Sequence, residues 1–371
     1  MKNQLVVLLL VFFGFQAVSA QEAASGYEGW QLKPAYSQGF IMVHRISIGH
    51  LVKGYPSNYE LNISRPSRGN KLWQRENNNP DVGITLQCLD FANQAQLGYA
   101  LTAAPYVEIP LNDKKKASRV VMRVCWGATY ITKHFDIYEN HKNIAIGSHF
   151  NSFVQFRWFW QLQLSSQLRF EPGITFTHAS NGKSGNPNLG LNVMSLTAGF
   201  NYRFGKPKVP AITVMDSSSK RPSRNELVFG VGIGFNERGI NTPLLKSYLF
   251  TAAYQRNVRN THKFSAGLDV FYDQNYQIDL QEQLGTNYTA ADRVRLAARI
   301  GYSYNIGRVS FPIEIGYYPF QKINPDGKIV SRLGVRYYLP GGLMVNFGLR
   351  THFAVAYTFE YGLGYCLNFG R

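Results

Sequence analysis

The sequence predicts an all-β chain, a transmembrane antiparallel β-barrel of the outer membrane with roughly 12 to 16 strands. Three observations predict it. The chain opens with an export signal, no later apolar run is long enough for a helical span, and apolar and polar side chains alternate with period two along nearly its whole length.

The export signal comes first. Lys2 precedes the apolar stretch Leu5 to Phe15, and Val18-Ser19-Ala20 has the small-x-small form of a cleavage site, so residues 1–20 read as a signal peptide and Gln21 as the first mature residue. The residue directly after the cleavage point is Gln21 rather than the Cys that a lipid anchor would need. Beyond it no run of about 18 apolar residues occurs, which excludes a helical membrane protein. Aromatic residues make up 14% of the chain at a slightly negative mean hydropathy, which suits a barrel that shows lipid only every second residue.

Cys88, Cys125 and Cys366 are far apart and odd in number, so they build neither a disulfide framework nor a metal motif and read as structural. With 39 Lys and Arg against 22 Asp and Glu, the net charge of +17 calls for an anionic partner. In an exported chain that partner is phosphorylated lipid rather than nucleic acid. The alternative is that the cations line loops and a wet lumen.

The alternation is plain in Val120, Met122, Val124, Trp126, Ala128 and Tyr130 against Arg119, Arg123 and Thr129, and in Val154, Phe156, Trp158, Trp160 and Leu162 against Gln155, Arg157, Gln161 and Gln163. Further on, Val294, Leu296, Ala298, Ile300 and Tyr302 oppose Arg293, Arg295 and Arg299. A soluble β-sandwich would rarely carry so many long, aromatic apolar faces. Strands are expected near 38–49, 57–65, 82–91, 96–108, 118–132, 145–165, 167–179 and 191–205. A second series is expected near 226–236, 247–257, 262–274, 291–305, 308–318, 329–339, 342–352 and 355–369.

Asn305-Ile306-Gly307 and Pro340-Gly341-Gly342 suit tight turns, and Arg65 to Pro80 and Asp273 to Asp292 suit extracellular loops. The Lys-, Pro- and Ser-rich stretch 206–225 is a linker or loop between a segment 21–205 and a segment 226–371. The alternation from Val355 to Phe369 suits a closing strand, so the expectation is one barrel closed by residues 355–369. Two eight-stranded barrels in tandem are the alternative.

Among the eight histidines, His178 stands two residues before Ser180, and in a strand such residues share a face. Imidazole and hydroxyl then meet as general base and nucleophile. Asn181 to Gly190 reads as a turn-forming loop, after which the returning strand brings Asn192 beside the pair, where its amide oxygen can hold the imidazole N–H. Backbone N–H groups of Asn181 and Gly182 are the expected oxyanion donors. The bland alternative is a lumen-facing His bonded to a nearby Ser. His134, Asp136, Glu139 and His141 fit no standard metal spacing and read as loop residues.

From roughly 38 to 205 the chain resembles the outer-membrane lipid A 3-O-deacylases of the PagL type. The resemblance rests on Gly127-Ala128-Thr129-Tyr130-Ile131-Thr132-Lys133, Ile146-Gly147-Ser148, Thr177-His178-Ala179-Ser180-Asn181-Gly182 and Pro187-Asn188-Leu189-Gly190. It implies an acyloxyacyl hydrolase in which His178 is the base and Ser180 the nucleophile, without metal or other cofactor, acting on lipopolysaccharide in the outer leaflet. That family places an acidic residue twelve positions after the serine, where this chain has Asn192. The motif also resembles outer-membrane phospholipase A, whose triad uses Asn. That phospholipase implies calcium, yet Lys183 to Leu189 contains no carboxylate to hold it. A non-enzymatic pore or adhesin is the rival of another class.

Overall fold

The computed structural model of the protein describes residues 29–67, 69–112, 118–204, 224–353 and 355–369. The signal peptide expected at 1–20 and residues 206–223 of the expected linker lie outside them. The first eight strands are β1 (Gln31–Ile41), β2 (Ser57–Pro66), β3 (Asp81–Asp90), β4 (Tyr99–Pro110), β5 (Ser118–Ile131), β6 (Phe150–Gln163), β7 (Leu168–Ser180) and β8 (Leu191–Arg203). Each pairs antiparallel with its neighbours in sequence, and β8 returns to pair with β1, Ile41 opposite Val193 and Gln31 opposite Arg203. The second eight are β9 (Asn225–Glu237), β10 (Leu244–Arg259), β11 (His262–Asp273), β12 (Val294–Ile306), β13 (Val309–Phe320), β14 (Ile329–Tyr338), β15 (Leu343–His352) and β16 (Val355–Phe369). Here β16 closes on β9, with Phe369 opposite Asn225.

The expected single barrel is therefore corrected to two closed barrels of eight strands each. The physical reason is edge satisfaction. Once β1 takes the free edge of β8, no unpaired N–H or C=O row remains there for β9 to extend. The strand from 355 to 369 does close a barrel, but against β9 rather than the first strand of the chain.

Period two decides what each barrel wall presents. In β6 the even positions Trp158 and Trp160 are about half exposed on the outside, while Gln155, Arg157 and Gln161 are buried inside. The lumen of the first barrel is filled by a charged network. Lys33 bonds Glu108 and lies 3.3 Å from Asp81, Arg123 bonds Glu108 through Nε at 2.9 Å, and Glu60 bonds Arg157. In the second barrel Arg295 and Arg350 clamp Asp273 at 2.6 and 2.7 Å, and Arg299 spans Asp269 and Glu314 at 3.0 and 2.8 Å. Buried charges are tolerated only when paired in this way. These lumen cations are buried and ion-paired rather than solvated, unlike the wet lining that the alternative reading expected. Arg293 instead lies in a short 3-10 turn just before β12.

Two local expectations are also corrected. The first strand spans 31–41 rather than 38–49, because Ile46–Leu51 coils into a 3-10 turn that buries Ile48 and Leu51. The loop expected from Arg65 to Pro80, on the same side as the end of β7, instead begins only after Pro66, joins β2 to β3 on the rim opposite the 181–190 loop, and contains a short helix, α1 (Leu72–Glu76). Of the other expected loop, residues 274–284 form a helix, α2 (Gln274–Leu284).

On the rim where β7 ends, the connections fold over the barrel mouth. Ile41, Ile48, Leu51, Phe91, Leu97, Ile131, Ala145, Ile146, Ala179, Leu191 and Val193 form one buried apolar cluster there. This cap anchors the ends of β7 and β8 from the inside.

Candidate active site

His178 and Ser180 stand at the end of β7, and alternation fixes their direction. Thr175, Thr177 and Ala179 are buried toward the lumen and cap, which leaves Ile174, Phe176, His178 and Ser180 on the outward side. On β8, Leu191 and Val193 enter the cap, so Asn192 points outward with Met194 and Leu196. The bland alternative of a lumen-facing histidine is overturned by this parity.

Hairpin register supplies the next contact. His178 is directly opposite Asn192, and Ser180 is opposite Ser152 on β6. Asn192 Oδ1 accepts a hydrogen bond from His178 Nδ1 at 2.6 Å, and His178 Nε2 lies 2.9 Å from Ser180 Oγ. An amide oxygen is an acceptor, so Nδ1 carries the proton and Nε2 offers its lone pair to the serine hydroxyl. The three residues singled out in the sequence are thus brought into one hydrogen-bonded chain. It can deprotonate the serine and hold the imidazole in one tautomer.

The loop after Ser180 is built to approach this chain. Gly190 has φ +77°, which favours glycine, and a Cβ there would sit 3.0 Å from His178 Cε1 and push on the ring. Its N–H donates to the Ala145 carbonyl at 2.9 Å, tying the loop to the cap. Of the two expected oxyanion donors, the Asn181 N–H donates to Asn188 Oδ1 at 3.1 Å, while Gly182 turns the chain at φ +62°. The Asn181 amide must therefore exchange partners to serve an oxyanion. Asn181 Nδ2 donates to Ser148 Oγ at 3.0 Å, which gives the Ile146-Gly147-Ser148 stretch a bracing role.

His134, Asp136, Glu139 and His141 lie in the loop between β5 and β6 on the same rim. Asp136 Oδ1 accepts the N–H groups of Tyr138 and Glu139, which fold a tight turn and hold its carboxyl below the usual range. The three cysteines form no disulfide, and Cys125 and Cys366 are buried.

Two family models match the chain. Residues 57–201 match the lipid A 3-O-deacylase (PagL) model, and residues 225–369 match that of the acyloxyacyl hydrolase C-terminal domain. Together they run from β2 to β8 of the first barrel and from β9 to β16 of the second. The chain belongs to the PagL family of acyloxyacyl hydrolases.

The PagL-type segment carries the His-Ser-Asn chain, and the C-terminal model begins and ends with β9 and β16. Solved structures overlay loosely. Neisserial surface protein A is 7% identical with a TM-score of 0.34, covering 48% of this chain and 100% of its own. The outer-membrane enzyme PagL is 15% identical with a TM-score of 0.31, covering 45% and 97%. No curated protein sequence matches the chain significantly.

His44 is a residue at the site that the sequence did not single out. It lies 3.1 Å from the Asn192 amide, 148 positions earlier in the chain. Only closure of the first barrel at eight strands, with β1 beside β8, reveals the proximity.

Proposed function

We propose that this protein is an outer-membrane serine esterase that removes an ester-linked acyl chain from lipid A. The observation that carries the reading is the Ser180–His178–Asn192 chain of hydrogen bonds, set on the outward face of the wall beside Ile174 and Phe176. A lipid substrate reaches such a site sideways from the bilayer, without entering the lumen. The apolar outer surface, with Leu196 72% exposed, and the polar interior are the reverse of a water-soluble protein and suit immersion in lipid. With the N terminus periplasmic, β7 runs outward and delivers Ser180 to the leaflet that holds lipopolysaccharide. Paired side chains fill the lumen, which speaks against an open pore.

In the reaction, Ser180 Oγ bonds to the acyl carbonyl carbon while its proton passes to His178 Nε2. The ester C–O bond then breaks, and the departing hydroxyl of the lipid takes that proton from Nε2. Water attacks the acyl-enzyme, again through His178, releasing a fatty acid and restoring Ser180. Asn192 Oδ1 keeps the imidazole in the required tautomer throughout.

The amide at position 192 favours a second reading, phospholipase A activity, since Asn is that enzyme's triad partner. Purified protein with lipopolysaccharide or with phospholipid in detergent micelles separates the two. Fatty acid released from lipopolysaccharide, and lost by at least about a thousandfold in Ser180→Ala, is expected. Release from phospholipid alone would favour the second reading, and full activity in Ser180→Ala would sink both.

A further inference from the structure

An amide oxygen holds an imidazole less firmly than a carboxylate does, because it carries no full charge and only one of its two polar atoms can accept. A free Asn side chain could rotate and present Nδ2 to His178 Nδ1, donor against donor. Something must orient it. Asn192 Nδ2 donates to His44 Nδ1 at 3.1 Å, and His44 Nε2 lies 3.1 Å from the Leu189 carbonyl oxygen. A carbonyl only accepts, so Nε2 carries the proton, and Nδ1 is left as a lone pair aimed at the Asn192 amide. The 3.4 Å approach of Nδ1 to the Met42 carbonyl is then a contact without a hydrogen bond. Met42 itself is fixed, since its N–H donates to the Asn192 carbonyl at 2.8 Å.

We propose that His44 is a positioning residue for the esterase site. Through the sequence Leu189 C=O, His44, Asn192, His178, Ser180, it orients the amide so that Oδ1 faces the imidazole, and thereby lets Asn stand where the family resemblance places an acid. The inference rests on the esterase reading of Ser180. A carboxylate at 192 presents an acceptor whichever way it turns, so it would not need His44.

The test is a set of variants assayed for kcat and KM on a long-chain p-nitrophenyl ester in detergent micelles, with folding checked by heat-modifiable gel migration. His44→Phe should lower kcat by about tenfold or more at little change in KM, since a misoriented triad partner impairs the chemical step. His44→Gln, whose carbonyl can accept from Asn192 and whose NH2 can donate to Leu189, should recover most of the rate. In an Asn192→Asp or Asn192→Glu background, His44→Phe should cost no more than about twofold. An equal loss in both backgrounds would mean that His44 merely supports the loop, and would overturn the proposal. So would wild-type kcat in His44→Phe. If neither acidic background turns over, the Phe and Gln variants decide alone, and equal rates overturn it. Fluorophosphonate labelling of the wild type keeps the two readings apart: labelling that Ser180→Ala abolishes upholds the esterase whatever His44 does, whereas an unlabelled, inactive wild type removes the esterase reading and this proposal with it.

Discussion

Gly190 is where backbone and chemistry meet most tightly. Its positive φ disfavours any side chain, and an added methyl group would press on the His178 ring. Gly190→Ala should therefore cost about 1 kcal/mol or more of backbone strain and displace the imidazole, lowering kcat more than it raises KM. Steady-state kinetics with a denaturation midpoint would check both effects. At this scale the sequence was informative for His178, Ser180 and Asn192, because i and i+2 share a strand face and a hairpin returns a predictable partner. It was silent on the engagement of the Asn181 N–H by Asn188, which depends on the fold of a ten-residue turn, and on His44, which depends on barrel closure.

Elements hold these residues in place through the opposite face of the same strands. His178, Ser180 and Asn192 face out, while Ala179, Leu191 and Val193 enter the apolar cap. The cap converts two strand ends, which would otherwise fray, into a rigid platform. Ile146 is fully buried in it, and Ile146→Ala should cost about 2–5 kcal/mol locally through the cavity left behind. Activity in that variant should fall at a lower temperature than the barrel itself melts, as followed by circular dichroism. Simultaneous loss of both would argue that the cap and wall form one cooperative unit. Strand cores were legible from period two, and residues 355–369 were placed to the residue. Residues 42–51 misled because Met42, His44, Ile46 and Ile48 also alternate, although tertiary burial of Ile48 and Leu51 coils them instead.

For the whole molecule, the strand total was readable but the partition was not. Alternation reports which side of a wall a residue faces, and says nothing about which distant strand completes the ring. The choice lies in register, and here β8 meets β1 while β16 meets β9. The lumens show the same logic, with arginines that look like surface charge in the sequence pairing inward with Asp269, Asp273 and Glu314. What the two barrels present to their surroundings is then chiefly apolar wall, with Ser180 bonded to His178 at the rim of the first. Mass spectra of lipid A from cells expressing the wild type or Ser180→Ala test that account most directly. It predicts lipid A lacking one acyl chain with the wild type and intact lipid A with the variant. Intact lipid A in both, with new lysophospholipid in the wild type, would contradict it.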